Sequence, residues 1–281
     1  MGPMKNILLL ALTCSFFMSY AQEPNRDMGK KLVWHDEFNY NGPPDQKKWT
    51  YEEGFVRNEE PQYYTVANQN NCMVEGGYLV ITARSKNLKN KKYDPNSQDN
   101  WRTKDSLARF TSASVITLGK QQWKYGRIEV LAKVPKGLGT WPAIWMLGKN
   151  REKIKWPHCG EIDIMEYLGK DSTRVYGTVH YSDSLMKYNL VGDTIVGATP
   201  YDGFHIYAID WNKDRIEFYY DDVKYHVFDL KDANKKQGNP FRRPFYLLIN
   251  LALGHEGGWP GPLDESILPV QFLIDYVRIY Q

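Results

Sequence analysis

Gly126-Arg127-Ile128-Glu129-Val130-Leu131-Ala132-Lys133-Val134 opens with polar and apolar side chains in alternation. A period of two puts the charged residues on one face of an extended strand and the aliphatic ones on the other, as in a half-buried antiparallel strand. Short runs of the same kind, rich in Val, Ile, Tyr and Phe, recur on both sides between clusters of Gly, Pro, Asn and Asp. They cover residues 78–83, 110–118, 143–147, 161–168, 174–182, 204–211, 215–220, 224–228, 245–253 and 272–280. Asp221-Asp222 marks a tight hairpin, and residues 231–236 can form one helical turn. No long segment has a helical period. Residues 85–107 are polar and rich in turn formers, and read as one long loop. Many short strands with little helix predict an all-β antiparallel sandwich or barrel in a single domain, residues 22–281.

Composition supports this. The chain has 281 residues, 42% hydrophobic and 25% charged, which excludes a disordered, collagenous or coiled-coil protein. Lys and Arg number 36 against 33 acidic residues, so there is no electrostatic case for nucleic acid as partner. Aromatic residues are plentiful, with 20 Tyr, 11 Phe and 9 Trp. Tyr and Trp join a flat apolar body to a polar tip, which suits a cleft for amphipathic ligands.

Met1-Gly2-Pro3 precedes a second methionine, Met4, and reads as a foreign leader. Lys5, an apolar run over residues 7–18 and Ser19-Tyr20-Ala21 then form an expected signal peptide, residues 4–21. The protein is therefore expected to be exported. Cys14 lies where a lipoprotein would carry its acylated cysteine, but Ala11-Leu12-Thr13 is a poor match to the usual preceding triplet, so release is expected over anchoring. Cys72 and Cys159 could pair in an oxidising compartment, and no Cys/His spacing suggests zinc. Nothing argues for oligomers or a protein partner, so a monomer is expected.

The chemistry concentrates in Gly160-Glu161-Ile162-Asp163-Ile164-Met165-Glu166-Tyr167. In a regular strand Glu161 and Asp163 share a face and Glu166 falls on the other. One extra residue, a β-bulge near Ile164-Met165, would return Glu166 to the face of Glu161. The segment is then either a broken acidic face or three carboxylates in a row. With the bulge, Glu161 and Glu166 stand roughly 13 Å apart at the backbone. Two glutamates leaning together from there can reach the ~5–5.5 Å of a retaining glycosidase. Asp163 between them would raise the proton affinity of the acid. A solvated acidic strand is the plain alternative; the interleaved apolar residues exclude an EF-hand loop.

Glu161-Ile162-Asp163-Ile164-Met165-Glu166 resembles the E-x-D-x-x-E signature of family 16 glycoside hydrolases, in their laminarinase-like branch. Trp34-His35-Asp36-Glu37-Phe38, the stretch from Asn58 to Tyr64, Trp141-Pro142-Ala143-Ile144-Trp145-Met146, Gly177-Thr178-Val179-His180-Tyr181 and Asp275-Tyr276-Val277-Arg278-Ile279-Tyr280 are also similar to that family, in the same order. The resemblance implies a concanavalin-like β-jelly-roll of two curved antiparallel sheets, with an open cleft on the concave face. It implies Glu161 as nucleophile, Glu166 as general acid/base and Asp163 assisting both. Trp141 and Trp145 would line the glycone side, Asn58 and Arg84 would contact sugar hydroxyls, and His180 would lie near the leaving group. Trp259, in a Gly-rich loop, is a further candidate for sugar binding. Glu37, the carbonyl of Gly77 and Asp275 resemble a structural calcium site found in relatives; no cofactor is expected for catalysis. Core packing for Trp145, a satisfied strand histidine for His180 and a surface ion pair for Arg84 are the plain alternatives.

The expected function is a retaining endo-β-glucanase acting on β-1,3 or mixed β-1,3/1,4 glucan. The alternative keeps fold and mechanism and takes a galactan such as agar, porphyran or carrageenan. Sulfated galactans should need extra Arg or Lys in the cleft. A non-catalytic lectin would not need both glutamates, and no G-x-S-x-G or H-E-x-x-H motif supports serine or zinc chemistry. The loops 85–107, 183–200 and 253–266 are expected to shape the subsites.

Overall fold

Residues 29–281, apart from Gln98 and Gln237, are described by a computed structural model. The expected leader over residues 4–21, Cys14 included, lies outside them. In chain order the strands are β1 (Leu32–Asp36), β2 (Thr50–Tyr51), β3 (Gln62–Tyr64), β4 (Cys72–Glu75), β5 (Tyr78–Lys89), β6 (Leu107–Ser112), β7 (Ser114–Ile116), β8 (Gly126–Lys133) and β9 (Thr140–Gly148). There follow β10 (Glu161–Glu166), β11 (Arg174–Ser182), β12 (Tyr188–Val196), β13 (His205–Trp211), β14 (Arg215–Tyr220), β15 (Val223–Asp229), β16 (Phe245–Leu253) and β17 (Val270–Tyr280). One sheet runs β15-β14-β13-β8-β17-β5-β6-β3, with β1 on β17 and β4 beside β5; the other runs β12-β11-β10-β9-β16-β7-β2. Pairing is antiparallel throughout these strands except between β3 and β6. The result is a β-jelly-roll sandwich: of the sandwich and the barrel that the strand pattern allowed it is the sandwich, and it is the jelly-roll that the family resemblance implied.

The main core lies between the sheets, where Ile128 and Val130 of β8 join Ile144 and Met146 of β9, Ile162, Ile164 and Met165 of β10, and Leu247, Ile249 and Leu251 of β16. Full burial of each such side chain contributes about 1.5–3 kcal/mol. Alternation along β9 and β16 then turns Ala143, Trp145, Leu147, Tyr246 and Leu248 to the opposite face. There they form a second apolar cluster under the cleft. Both faces of these central strands are thus apolar, which explains why residues 245–253 are hydrophobic apart from Asn250.

Three expectations change. The loop expected over 85–107 is shorter, because β5 continues to Lys89 on β6 through a register shift between Ser85 and Leu88. Half of the segment 183–200 is strand: β12 pairs with β11 along its whole length. An edge strand with little burial on either face lacks the alternation that betrays its neighbours. Cys72 and Cys159 are both buried free thiols in separate clusters, so the possible disulfide is absent among the described residues. The turn expected over 231–236 appears as a 3-10 turn, Leu230–Ala233. No helix among the described residues is long and apolar enough to cross a membrane.

Candidate active site

Gly160 precedes strand β10, and its φ of +80° favours glycine; a Cβ there would lie 2.9 Å from Pro240 and 3.0 Å from Phe245. Asp163 then stands opposite Trp145 of β9, yet Met165, not Ile164, stands opposite Ile144. Ile164 is the extra residue of a β-bulge. Ile164 and Met165 are adjacent yet both pack into the core between the sheets, where strict alternation would place only one of them. The bulge sends both into the core and returns Glu166 to the outer face, opposite Ala143 and Tyr176. On β11 the cross-strand neighbours are His180 for Glu161 and Thr178 for Asp163.

The face so formed floors a cleft of about 650 Å³. Glu161, Asp163 and His180 bring one oxygen or nitrogen each within 4.8 Å of one another. His180 Nε2 lies 3.0 Å from Asp163 Oδ2 and 3.9 Å from Glu161. Its Nδ1 is 2.7 Å from the Tyr188 hydroxyl, and the two rings stack at 5.8 Å. Trp141 Nε1 donates to Glu166 Oε1 at 3.0 Å. Trp259, 44% exposed, meets Trp141 edge-on at 5.4 Å and Tyr176 at 5.2 Å. Trp156 closes the other side, 5.2 Å from Tyr188.

Crowding three carboxylates in a partly dry floor makes full ionisation costly. Burial, then the charge of Asp163, pushes Glu161 up to about 8, with His180 and Arg57 pulling the other way. Burial also raises Asp163 to about 8. Glu166 is raised well above its ordinary value by burial, then by Asp163 and Glu161. The group therefore holds protons where ordinary carboxylates have none. A carboxylic acid beside a carboxylate, under an indole wall, can protonate a leaving oxygen while its neighbour attacks or stabilises a cationic carbon.

Of the other residues expected to bind sugar, Asn58, Trp141, His180 and Trp259 line this cleft. Trp145, 7% exposed, is not among the lining residues; it borders a small cavity beneath the cleft, and its Nε1 donates to Asn250 Oδ1 at 2.7 Å. Arg84 is not among the lining residues. It stands on β5 opposite Thr111, in a separate groove with Asn71 and Lys86, because β5 belongs to the sheet that does not carry the cleft. At the expected calcium site, Arg278 clamps both Glu37 oxygens at 3.0 and 2.9 Å. A carboxylate neutralised in this way is a poor ligand for a hard cation, so the Glu37, Gly77 and Asp275 set does not fit calcium held through Glu37.

Several residues escaped the sequence reading. Glu60, buried, accepts from Gln62 at 2.7 Å and from Asn58 at 3.1 Å, holding Asn58 at the cleft edge with φ +54°. Asn250 donates to Tyr64 at 3.0 Å while it holds Trp145. The signal for Asn250 was present: one polar residue inside Phe-Tyr-Leu-Leu-Ile-Asn-Leu-Ala-Leu needs a buried partner. Arg57, Trp156 and Tyr188 carried no local pattern.

Two packed β-sheets with a row of proton-holding carboxylates in an aromatic cleft point to a glycoside hydrolase of the jelly-roll type. Residues 59–276 match Glycosyl hydrolases family 16. The chain belongs to that family, in its laminarinase-like branch. It is similar to a β-glucanase of Rhodothermus marinus, 39% identical over 89% of this chain and 85% of the relative. The laminarinase structure from Rhodothermus marinus superposes with a TM-score of 0.76 at 39% identity, covering 90% of this chain and 97% of that one. A protein solved in work on endo-acting O-glycanases, which prominent human gut bacteria express to initiate mucin breakdown, superposes with a TM-score of 0.84. It is 40% identical, with 91% of this chain and 92% of that chain covered.

Proposed function

We propose that this glycoside hydrolase is a retaining endo-β-glucanase that cuts β-1,3 or mixed β-1,3/1,4 glucan by double displacement. The observation that carries the reading is the bulged strand β10, which presents Glu161, Asp163 and Glu166 on one face beneath Trp141. Glu161 attacks the anomeric carbon as the bond to the leaving oxygen breaks, and Glu166 gives that oxygen its proton. Esterification removes the charge of Glu161, and Glu166, now a carboxylate, takes a proton from the water that releases the sugar. Asp163 keeps proton affinity high between them. No Lys or Arg is among the described residues that line the cleft, which favours an uncharged glycan over a sulfated one.

A second reading keeps this mechanism and takes a galactose-containing glycan, either a galactan or the O-glycans of mucin. The higher TM-score to the protein from the O-glycanase work, 0.84 against 0.76, favours keeping it in view. Export through the amino-terminal segment and action as a monomer complete the proposal.

The test is a reducing-sugar assay on laminarin, barley mixed-linkage glucan, agarose, carrageenan and mucin O-glycans, with Glu161→Ala as blank. Activity on a glucan, absent from the blank, supports the first reading, and the ratio between the two glucans sets the linkage. Activity confined to agarose or mucin glycans supports the second. Fresh product in the α configuration, seen by NMR, contradicts double displacement.

A further inference from the structure

Arg57 lies under the cleft and plays no part in the chemistry assigned above. Its guanidinium carbon is 4.8 Å from the centre of the Trp145 ring and 5.7 Å from that of Tyr64. One edge of the guanidinium pairs with Glu52, which also accepts from the Ser114 hydroxyl at 2.6 Å. Both partners are well shielded, with side chains 18% and 11% exposed. Nη1 of Arg57 is buried and has no hydrogen-bond partner. Arg57, Trp145, Glu161, Asp163 and Glu166 all line one small cavity of about 60 Å³ beneath the cleft. Among the described residues lining that cavity and the cleft above it, no other Lys or Arg occurs.

A cation is costly to bury, and a single glutamate would balance it in full if neutralisation were its only purpose. Here the guanidinium lies against the Trp145 ring and near that of Tyr64, is paired with one carboxylate, and is left with an unsatisfied donor in a cavity that three acidic groups share. We propose that Arg57 is a positioning residue for the glycone half of the cleft: it braces the Trp145 indole, and its fixed charge keeps Glu161 the carboxylate that attacks. The proposal rests on the reading of Glu161 as nucleophile.

The charges around the pair are asymmetric. Glu161 faces Asp163 and Glu166 on its own strand, His180 on β11, Tyr188 on β12 and Cys159 in the preceding loop. Arg57 faces Glu52, Glu60 and Tyr64, and Arg151 lies near Glu52. Burial disfavours ionised Glu52, but Arg57 and Ser114 outweigh it and hold its carboxyl below the ordinary value. Glu52 thus stays charged and attenuates Arg57. Removing Arg57 or removing Glu52 must therefore move Glu161 in opposite directions, which no purely structural role would do.

The experiment is the pH profile of kcat/KM on a soluble oligosaccharide for the intact enzyme and three variants. In Arg57→Met the acidic limb should move to higher pH by about half to one unit, the effect of one partly screened charge at this range. In Glu52→Gln, nearly isosteric, it should move to lower pH. Arg57→Lys should restore the limb but keep a raised KM, because an ammonium does not stack as a plane on Trp145. An unmoved limb in both Arg57→Met and Glu52→Gln overturns the proposal, as does a shift of the same sign in both. Should Arg57→Met not fold, Glu52→Gln and Arg57→Lys decide it alone. Activity retained in Glu161→Ala would instead refute the nucleophile assignment, which keeps the two failures apart.

Discussion

Two of the clusters of buried charge in the protein are built on opposite plans. On the larger sheet, Arg127 of β8 pairs with Glu129 at 2.7 Å and with Asp210 of β13 at 3.2 Å, while the Tyr276 hydroxyl donates to Glu129 at 2.9 Å. Every charge there meets its opposite. On β10 of the smaller sheet, Glu161, Asp163 and Glu166 share a face with each other; burial raises all three carboxyls, and the neighbouring acidic charges raise Glu161 and Glu166 further. Asp163 Oδ2, buried, has His180 near it but no aligned hydrogen bond. Paired charge holds sheets in register; crowded like charge stores protons for a reaction. The first cluster is structural and the second chemical.

Substitution should separate them most sharply at the glutamates. Glu161→Ala and Glu166→Ala should each lower turnover by about 10³-fold or more while circular dichroism stays unchanged, since relieving like charge does not weaken the fold. A fully active variant of either would end the assignment. Arg127→Met should do the reverse. It strands Glu129 and Asp210, and should cost about 3–5 kcal/mol in denaturant melts, with kcat/KM kept wherever the protein is folded.

Acidity offers a subtler contrast. The carboxyls of β10 hold protons in the folded state that they release when unfolded, because Glu161 and Asp163 rise from ordinary values to about 8. Their contribution to stability is therefore full below about pH 4 and is lost as pH climbs toward 8. Glu161→Gln should flatten the fall of melting temperature across that window; a slope equal to the parent's would contradict the crowding. Trp141→Phe removes one N–H from Glu166 and should cost about tenfold in kcat/KM, roughly one charge-assisted hydrogen bond. At the small end, reductant should not shift the melting temperature, since Cys72 and Cys159 are free thiols.

Much of the fold was legible because period-two alternation is a local property. Of the runs read as strands, 174–182, 215–220 and 245–253 coincide with β11, β14 and β16. The sheet edges were not legible. β12 is solvated on much of both faces, and β2 and β3 are two and three residues long, too short to show a period. At the site, Glu161, Asp163 and Glu166 could be found because they lie within one strand, whereas the bulge that aligns them depends on a core that takes both Ile164 and Met165. Arg84 shows the limit of motif position: a residue can sit at a matching place in the chain while its strand belongs to the other sheet.

The amino-acid sequence by itself determined an all-β fold of many short antiparallel strands and three carboxylates within six residues of one of them, because each depends on neighbours a few residues apart. Tertiary structure alone decided what stands beneath those carboxylates. Trp145 meets Asn250 across 105 positions, and Asn250 meets Tyr64 across 186. Arg57 reaches Trp145 and Glu161 only when β9, β10 and the chain before β3 are packed together. Residues that distant are coupled by sheet pairing and core burial, and neither leaves a local pattern at the positions it brings into contact.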